Sequence, residues 1–519
     1  MKLNYKRTIC VGFAFFLICA FWQAYDAAIP LTLTNKFGMS QSLSGIVMAL
    51  DNILALFMLP LFGAISDRTN TRHGRRTPFI VIGTVIAAVA FVGLSVADNA
   101  QLRNISDVSS IDDPAALRVI YETERDKALI TPEGEAFVLE DIFTEDEFAA
   151  ITCNTVNADG SSSTNSDYTN YVVPARQAYA WQATAESPAT LIFFMGLLLI
   201  VLVSMATFRS PAVALMPDVT MKPLRSKANA VINLMGTFGG IIVLALGIVF
   251  ATSSVKNSLM SYTAFFLVVA GIMIGSLIIF LLTVREPRFV REMQEQSLAY
   301  GIEDKPDDAV ESGEKRRLSA AEKRSLFFIL ASIVLWFFGY NAVTSKYSVY
   351  AANVLHKDYN LTLILAQAAA VVAYLPVGFV ASRVGRKKTI IAGVIMLGVA
   401  FGAAGFMRDD SPTMLMNLMF ILAGIAWASI NVNSFPMVVE MSTGADVGKY
   451  TGYYYTASMT AQVLTPMLSG FLMDKLGMTV LFPYAAVFVA FALVTMLFVR
   501  HGDSRPTAKR GLEALEDMD

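Results

Sequence analysis

Two carboxylates stand in apolar runs where a carboxylate is expensive. Asp26 lies in the run from Thr8 to Leu33 and Asp51 in the run from Ser42 to Ser66, 13 residues before and 12 residues after Met39. On two antiparallel helices rising about 1.5 Å per residue, both sit roughly 18–20 Å from the turn that joins them. They share one depth, near the middle of a bilayer, where an ionisable group persists only with a partner or a purpose. Two such groups at one level can take up and release an ion, so Asp26 and Asp51 are the candidate coupling residues. A proton is the expected ion, and sodium the alternative, since Asp51, Asn52 and helix backbone supply only part of an oxygen cage. A helix-packing hydrogen bond is the other role open to each carboxylate.

A second set suits a polyhydroxylated ring, which presents hydroxyls for planar donors and acceptors and a C–H face for an aromatic. The first apolar run offers Trp22, Gln23 and Tyr25; the seventh offers Trp336, Tyr340 and Asn341; the tenth offers Trp427, Asn431 and Asn433; the eleventh offers Gln462. Amide side chains facing lipid are costly, which turns this set inward or into interhelical hydrogen bonds. Arg209 either reaches the cavity to bind carboxylate or hydroxyl groups or snorkels to the inner surface. Lys346 is either a charge partner for Asp26 or Asp51 or snorkels outward.

The elements that must position these residues follow from composition. The 519 residues are 55% hydrophobic and only 16% charged, against about a quarter in soluble domains. Apolar runs of about 20 residues, long enough to cross roughly 30 Å of hydrocarbon, recur along the chain. The expected fold is an all-α polytopic membrane protein with twelve transmembrane helices in two pseudo-symmetric halves of six. The organisation read from the runs is 1–97 for helices one to three, 98–188 for an insertion, and 189–284 for helices four to six. A linker at 285–325, helices seven to twelve at 326–500 and a tail at 501–519 complete it. The insertion holds 17 acidic and 5 basic residues, so the remainder of a chain with net charge −2 is positive by ten. Basic loops collect on the cytoplasmic side. Both termini, the linker and the tail are therefore expected inside a cell membrane and the acidic insertion outside.

The duplication is visible in the loops. Gly63, Asp67, Arg68, Arg72 and Arg76 follow the second run, and Gly378, Arg383 and Arg386 follow the eighth; Gly63 to Gly378 and Arg68 to Arg383 are both offsets of 315. The same offset carries Tyr25-Asp26-Ala27 onto Tyr340-Asn341-Ala342, and a second offset of 222 pairs Asp218 with Glu440 and Lys227 with Lys449. These charged turns are expected to lock helices at the inner face, their ion pairs breaking when that face opens. Pro30, Pro211, Pro376, Pro436 and Pro466 supply bends, and Gly236, Gly239 and Gly240 a close helix approach.

Two six-helix halves with a glycine, Asp-Arg and basic loop resemble the major facilitator superfamily. The form SDRTNTRHGRRTPFI is similar to that of the glycoside-pentoside-hexuronide cation symporters and the sucrose-transporter branch. Pro211, Ala214-Leu215, Asp218, Arg225 and Ala228-Asn229 resemble the sucrose-type pattern after helix four. Val213 departs from it, standing where that pattern has an arginine. Paired aspartates in helix two, as in melibiose-type carriers, are represented here by Asp51 alone. The resemblance implies secondary transport of a sugar, a di- or oligosaccharide such as an alpha-glucoside, by alternating access. Sodium-coupled, uncoupled or export transport and a non-transporting nutrient sensor are the alternatives. The sequence has no nucleotide-binding loop, no His/Cys metal spacing among its three histidines and three cysteines, and no nucleophile elbow. A non-enzymatic monomer without cofactor, metal or nucleic-acid partner is expected, its partners being a small sugar and the lipid bilayer.

Overall fold

Long apolar stretches in a bilayer satisfy their backbone only as helices or closed barrels, and this chain uses helices. The computed structural model describes residues 3–131, 135–156, 162–252, 254–300, 318–350, 355, 360–408, 411–442 and 446–503. The tail expected beyond 503 and linker residues 301–317 lie outside that set. The first group contains α1 (Tyr5–Leu31), α2 (Gln41–Arg68), α3 (Thr77–Asn104), α8 (Ala189–Asp218), α9 (Arg225–Val249) and α10 (Thr263–Thr283). The second contains α12 (Ala320–Tyr350), α13 (Asn360–Val384), α14 (Arg386–Ala404), α15 (Thr413–Val439), α16 (Val447–Leu476) and α17 (Leu481–Leu497). Ten of these are long and apolar enough to cross a membrane; α16 is long but more polar, and α17 is apolar but has 17 residues.

Local chemistry sets several boundaries. Asn4 and Ser40 cap α1 and α2 by accepting the amides of Arg7 and Leu43. Gly239 brings α9 onto α1, for a Cβ there would lie 2.5 Å from the Phe16 carbonyl oxygen. The third span runs on to Asn104, past the boundary expected at residue 97. Asp98, expected to begin the insertion, is therefore buried inside it, ion-paired to Lys36 at 2.5 Å. Lys36 closes a π-helical turn, Thr32–Lys36, that extends α1, and its ammonium also lies 4.1 Å from the Tyr262 ring. The pair joins α1, α3 and the start of α10 at the ends that face the insertion.

The insertion folds. It carries α4 (Pro114–Glu124), the hairpin β1 (Leu129–Ile130) and β2 (Ala136–Phe137), α5 (Leu139–Ile142), α6 (Glu145–Ala149), the hairpin β3 (Asn154–Val156) and β4 (Ser162–Thr164), and α7 (Val173–Glu186). Both hairpins are antiparallel, with Leu129 opposite Phe137 and Thr155 opposite Ser163. Its own core includes Leu117, Ile120, Leu139, Phe148 and Cys153. Helix α7 docks on the α1–α2 turn, where Gly38 takes a positive φ of 69° and leaves no room for a Cβ beside the Trp181 amide. The linker also holds a helix, α11 (Glu286–Ala299), packed through Phe289, Val290 and Met293.

Candidate functional site

The two groups of helices meet at the face that carries the basic loops. A Cβ on Gly63 would lie 2.1 Å from the Gly448 carbonyl oxygen, and one on Gly452 would lie 2.3 Å from Pro60 Cα, so α2 and α16 touch backbone to backbone. A Cβ on Gly378 of α13 would lie 3.0 Å from the Ala230 methyl of α9. Asn229 Nδ2 donates to the Val432 carbonyl at 2.8 Å. These contacts continue inward to Thr456, whose hydroxyl reaches the Leu56 carbonyl at 3.5 Å. Beyond that depth Asp26 is exposed.

The charged turns form two locks. Arg76, wholly buried, donates to Asp67 at 2.6 Å, to Asp218 at 2.8 Å and to Ser66 at 2.5 Å. Asp67 in turn accepts the amides of Gly448 and Lys449, both at 2.8 Å, at the start of α16. Its carboxylate thus meets the positive end of a helix from the other group. In the second lock Arg386 donates to Glu440 and to Ser226, both at 2.9 Å, and to the Lys222 carbonyl. Glu440 also faces Arg225 at 3.7 Å. Arg68, Arg72 and Arg383 are exposed. Sequence reading missed the carboxylates behind each lock: Glu286 accepts the amides of Arg75, Arg76 and Thr77, and Asp503 accepts that of Arg386 at 2.6 Å.

A cluster of aromatic and charged side chains gathers around Arg209. It lies inside α8 rather than at its end, its guanidinium carbon 5.4 Å from the Trp22 ring and 5.1 Å from the Tyr455 ring. The guanidinium thus lies between rings of the two helical groups. Asp51 is within electrostatic reach of both Arg209 and Asp26, and Asn52 donates to it at 2.8 Å. Tyr25 is buried beside both aspartates, its hydroxyl without a hydrogen-bond partner among the described residues. On the facing group Tyr340 and Trp427 stack in parallel, ring centroids 3.8 Å apart and planes 4° from each other.

The remaining candidates separate by burial. Trp336 and Asn433 are wholly enclosed, and Asn433 donates to the Ser429 carbonyl of its own helix at 2.9 Å. Asn431 is half-buried and receives Asn229 through its backbone carbonyl at 3.3 Å. Gln462 and Asn341 are half-buried, and Gln23 turns toward Gly240 of α9, 3.7 Å from its Cβ position. Lys346 lies 3.7 Å from the Cβ position of Gly470 on α16 and makes no ion pair with Asp26 or Asp51. The cluster also includes residues the sequence reading passed over. Tyr374 of α13 lies near Cys19, Tyr340 and Tyr454, and Tyr454 approaches Ser434 at 3.3 Å. The run Tyr453-Tyr454-Tyr455 in α16 was the available signal.

A cation set between aromatic faces at the meeting of two helical groups, beneath paired carboxylates and above charged locks, is the layout of a carrier. The family model described as Major Facilitator Superfamily matches residues 178–373 and 356–516, and that described as MFS/sugar transport protein matches residues 10–101. The chain belongs to the Major Facilitator Superfamily. Its members are transporters, not enzymes, and the all-α fold agrees. The proton:xylose symporter XylE bound to 6-bromo-6-deoxy-D-glucose superposes with a TM-score of 0.57 at 15% identity, over 99% of this chain and 100% of that one. FucP, in the outward conformation, gives 0.58 at 11% identity, over 95% of this chain and 98% of that one. Among relatives by sequence, the "Putative glycoside/cation symporter YagG" of Escherichia coli (strain K12) is 35% identical over 13% of this chain. The "Proton-associated sugar transporter A" of Homo sapiens is 36% identical over 16% of it. The matched stretches span 15% and 10% of those relatives' own lengths.

Proposed function

We propose that this facilitator-family protein is a proton-coupled symporter of a sugar, a di- or oligosaccharide such as an alpha-glucoside, working by alternating access in a cell membrane with its basic loops and termini cytoplasmic. The observation that carries the reading is the Arg209 cluster, where Asp51 lies within electrostatic reach of Asp26 on one side and Arg209 on the other. An ionised Asp51 attracts Arg209; a protonated one releases it to donate to substrate hydroxyls. Proton and sugar then share one set of charges. The Tyr340–Trp427 stack offers an apolar face for the ring, with Trp22, Tyr25 and the half-buried amides around it. The names of the two sequence relatives support a sugar and an accompanying cation.

Uptake of labelled maltose, sucrose and melibiose into proteoliposomes under an imposed pH gradient, with and without sodium, tests this. Accumulation driven by the gradient in wild type and abolished in Asp51→Asn, while sugar exchange without a gradient survives, is the expected result. Accumulation that follows sodium alone would replace the proton. No accumulation of any sugar would remove the substrate class.

A further inference from the structure

The seam between the two helical groups ends at a phenol hydroxyl. Along α2 and α16 its contacts step by about one helical turn: Gly63 on Gly448, Pro60 on Gly452, Leu56 on Thr456. Tyr455, beside Thr456 and 8% exposed, stands at the end of this row nearest Arg209. Its ring lies 5.1 Å from the guanidinium carbon of Arg209 on α8, and its hydroxyl oxygen is a hydrogen-bond partner of that guanidinium. Asp51 on α2 and Trp22 and Cys19 on α1 also face Arg209. Those three come from the first group of helices, whereas Tyr455 comes from the second.

Arg209 carries five N–H donors in a fixed fork and keeps its charge throughout. Its donors are therefore divided among the acceptors around it. Asp51 is itself faced by Arg209, Asp26, Tyr25 and Asn52. While Asp51 is ionised, its carboxylate draws the guanidinium toward α2. Once Asp51 has taken a proton that attraction falls, and the oxygen and ring of Tyr455 hold the cation instead. Building on the symport reading above, we propose that Tyr455 is a positioning residue that latches α16 to Arg209 in the proton-loaded, sugar-free carrier, so that the proton does not cross alone. Sugar hydroxyls that take up the Arg209 donors release Tyr455, and the row of contacts behind it is then free to part. Proton and sugar cross together because the sugar undoes the latch.

Proteoliposomes holding a trapped pH-sensitive dye, with the membrane potential clamped, test this. Under an inward pH gradient without sugar, Tyr455→Phe keeps the ring and removes the oxygen. Proton entry should rise about tenfold over wild type, the factor that one hydrogen bond to a charged group represents. Gradient-driven accumulation of sugar should fall in the same variant, while exchange without a gradient remains measurable. Equal sugar-free proton entry in wild type and Tyr455→Phe, with wild-type accumulation intact, would overturn the latch and leave the symport reading standing. A wild type that accumulates no sugar would remove the symport reading and the latch with it. Should Tyr455→Phe not purify as a monodisperse protein, Tyr455→Met, which also lacks the oxygen, is held to the same outcomes.

Discussion

The two locks descend from one repeat and are built unequally. In the first, Arg76 holds two carboxylates at once and Asp67 reaches across to the amides that open α16. In the second, Arg386 shares Glu440 with Arg225, and Ser382 occupies the place of Asp67, its hydroxyl turned back to the Phe379 carbonyl at 2.8 Å. The helix approach beneath each lock differs in the same direction: glycine against glycine backbone at Gly63–Gly448, glycine against an alanine methyl at Gly378–Ala230. The first seam is tight, ionic and intolerant, and the second is looser and shares its charges. A duplicated carrier can thus place most of its closing energy on one side of its pseudo-twofold axis.

Breaking the tighter lock should do the most. Arg76→Ala strips the buried carboxylates of their shared cation, a change worth about 3–5 kcal/mol. In a protein with Cys10 and Cys153 replaced by serine, Cys19 near Arg209 should then react with a thiol reagent from the basic face much faster than in wild type. Unchanged labelling would contradict the lock. Gly63→Ala comes next, since its methyl would collide with a backbone oxygen that has nowhere to go; overpacking of this kind costs about 1–3 kcal/mol. Uptake should fall strongly there and stay near wild type in Gly378→Ala, where the neighbour is a methyl 3.0 Å away. Equal loss in both would erase the asymmetry. The smallest effect is expected from Ser382→Asp, which gives the second lock a carboxylate near the start of α9. A charge at a helix N-terminus contributes about 0.3–1 kcal/mol, so closure at the basic face should be favoured and uptake slowed modestly at low salt.

What the sequence made legible follows from range. Hydropathy reports the spans, and the repeated turns gave away Gly63, Asp67, Arg76, Gly378 and Arg386 because each lies in a short recognisable string. Depth counting brought Asp26 and Asp51 to one level, where the structure places them within electrostatic reach. Partners brought together by packing left no such trace: Glu286 lies 210 residues from Arg76 and Lys36 lies 62 from Asp98. Helix rotation was equally hidden. Nothing in the spacing said that Trp336 would face the core while Tyr340, one turn on, would stack against Trp427, nor that Tyr374 would join the cluster.

The insertion has its own core, and it grips the first helical group at several points. Thr184 donates to the Phe37 carbonyl at 3.1 Å, Gln101 to Thr184 at 2.9 Å, and Gln177 to Asn35 at 3.0 Å. It is therefore built as one body with that group. For imaging, that is a fiducial: an antibody fragment raised against α4–α7 would add rigid mass to a protein otherwise hidden in detergent. Its orientation from particle to particle would report that of the first helical group directly.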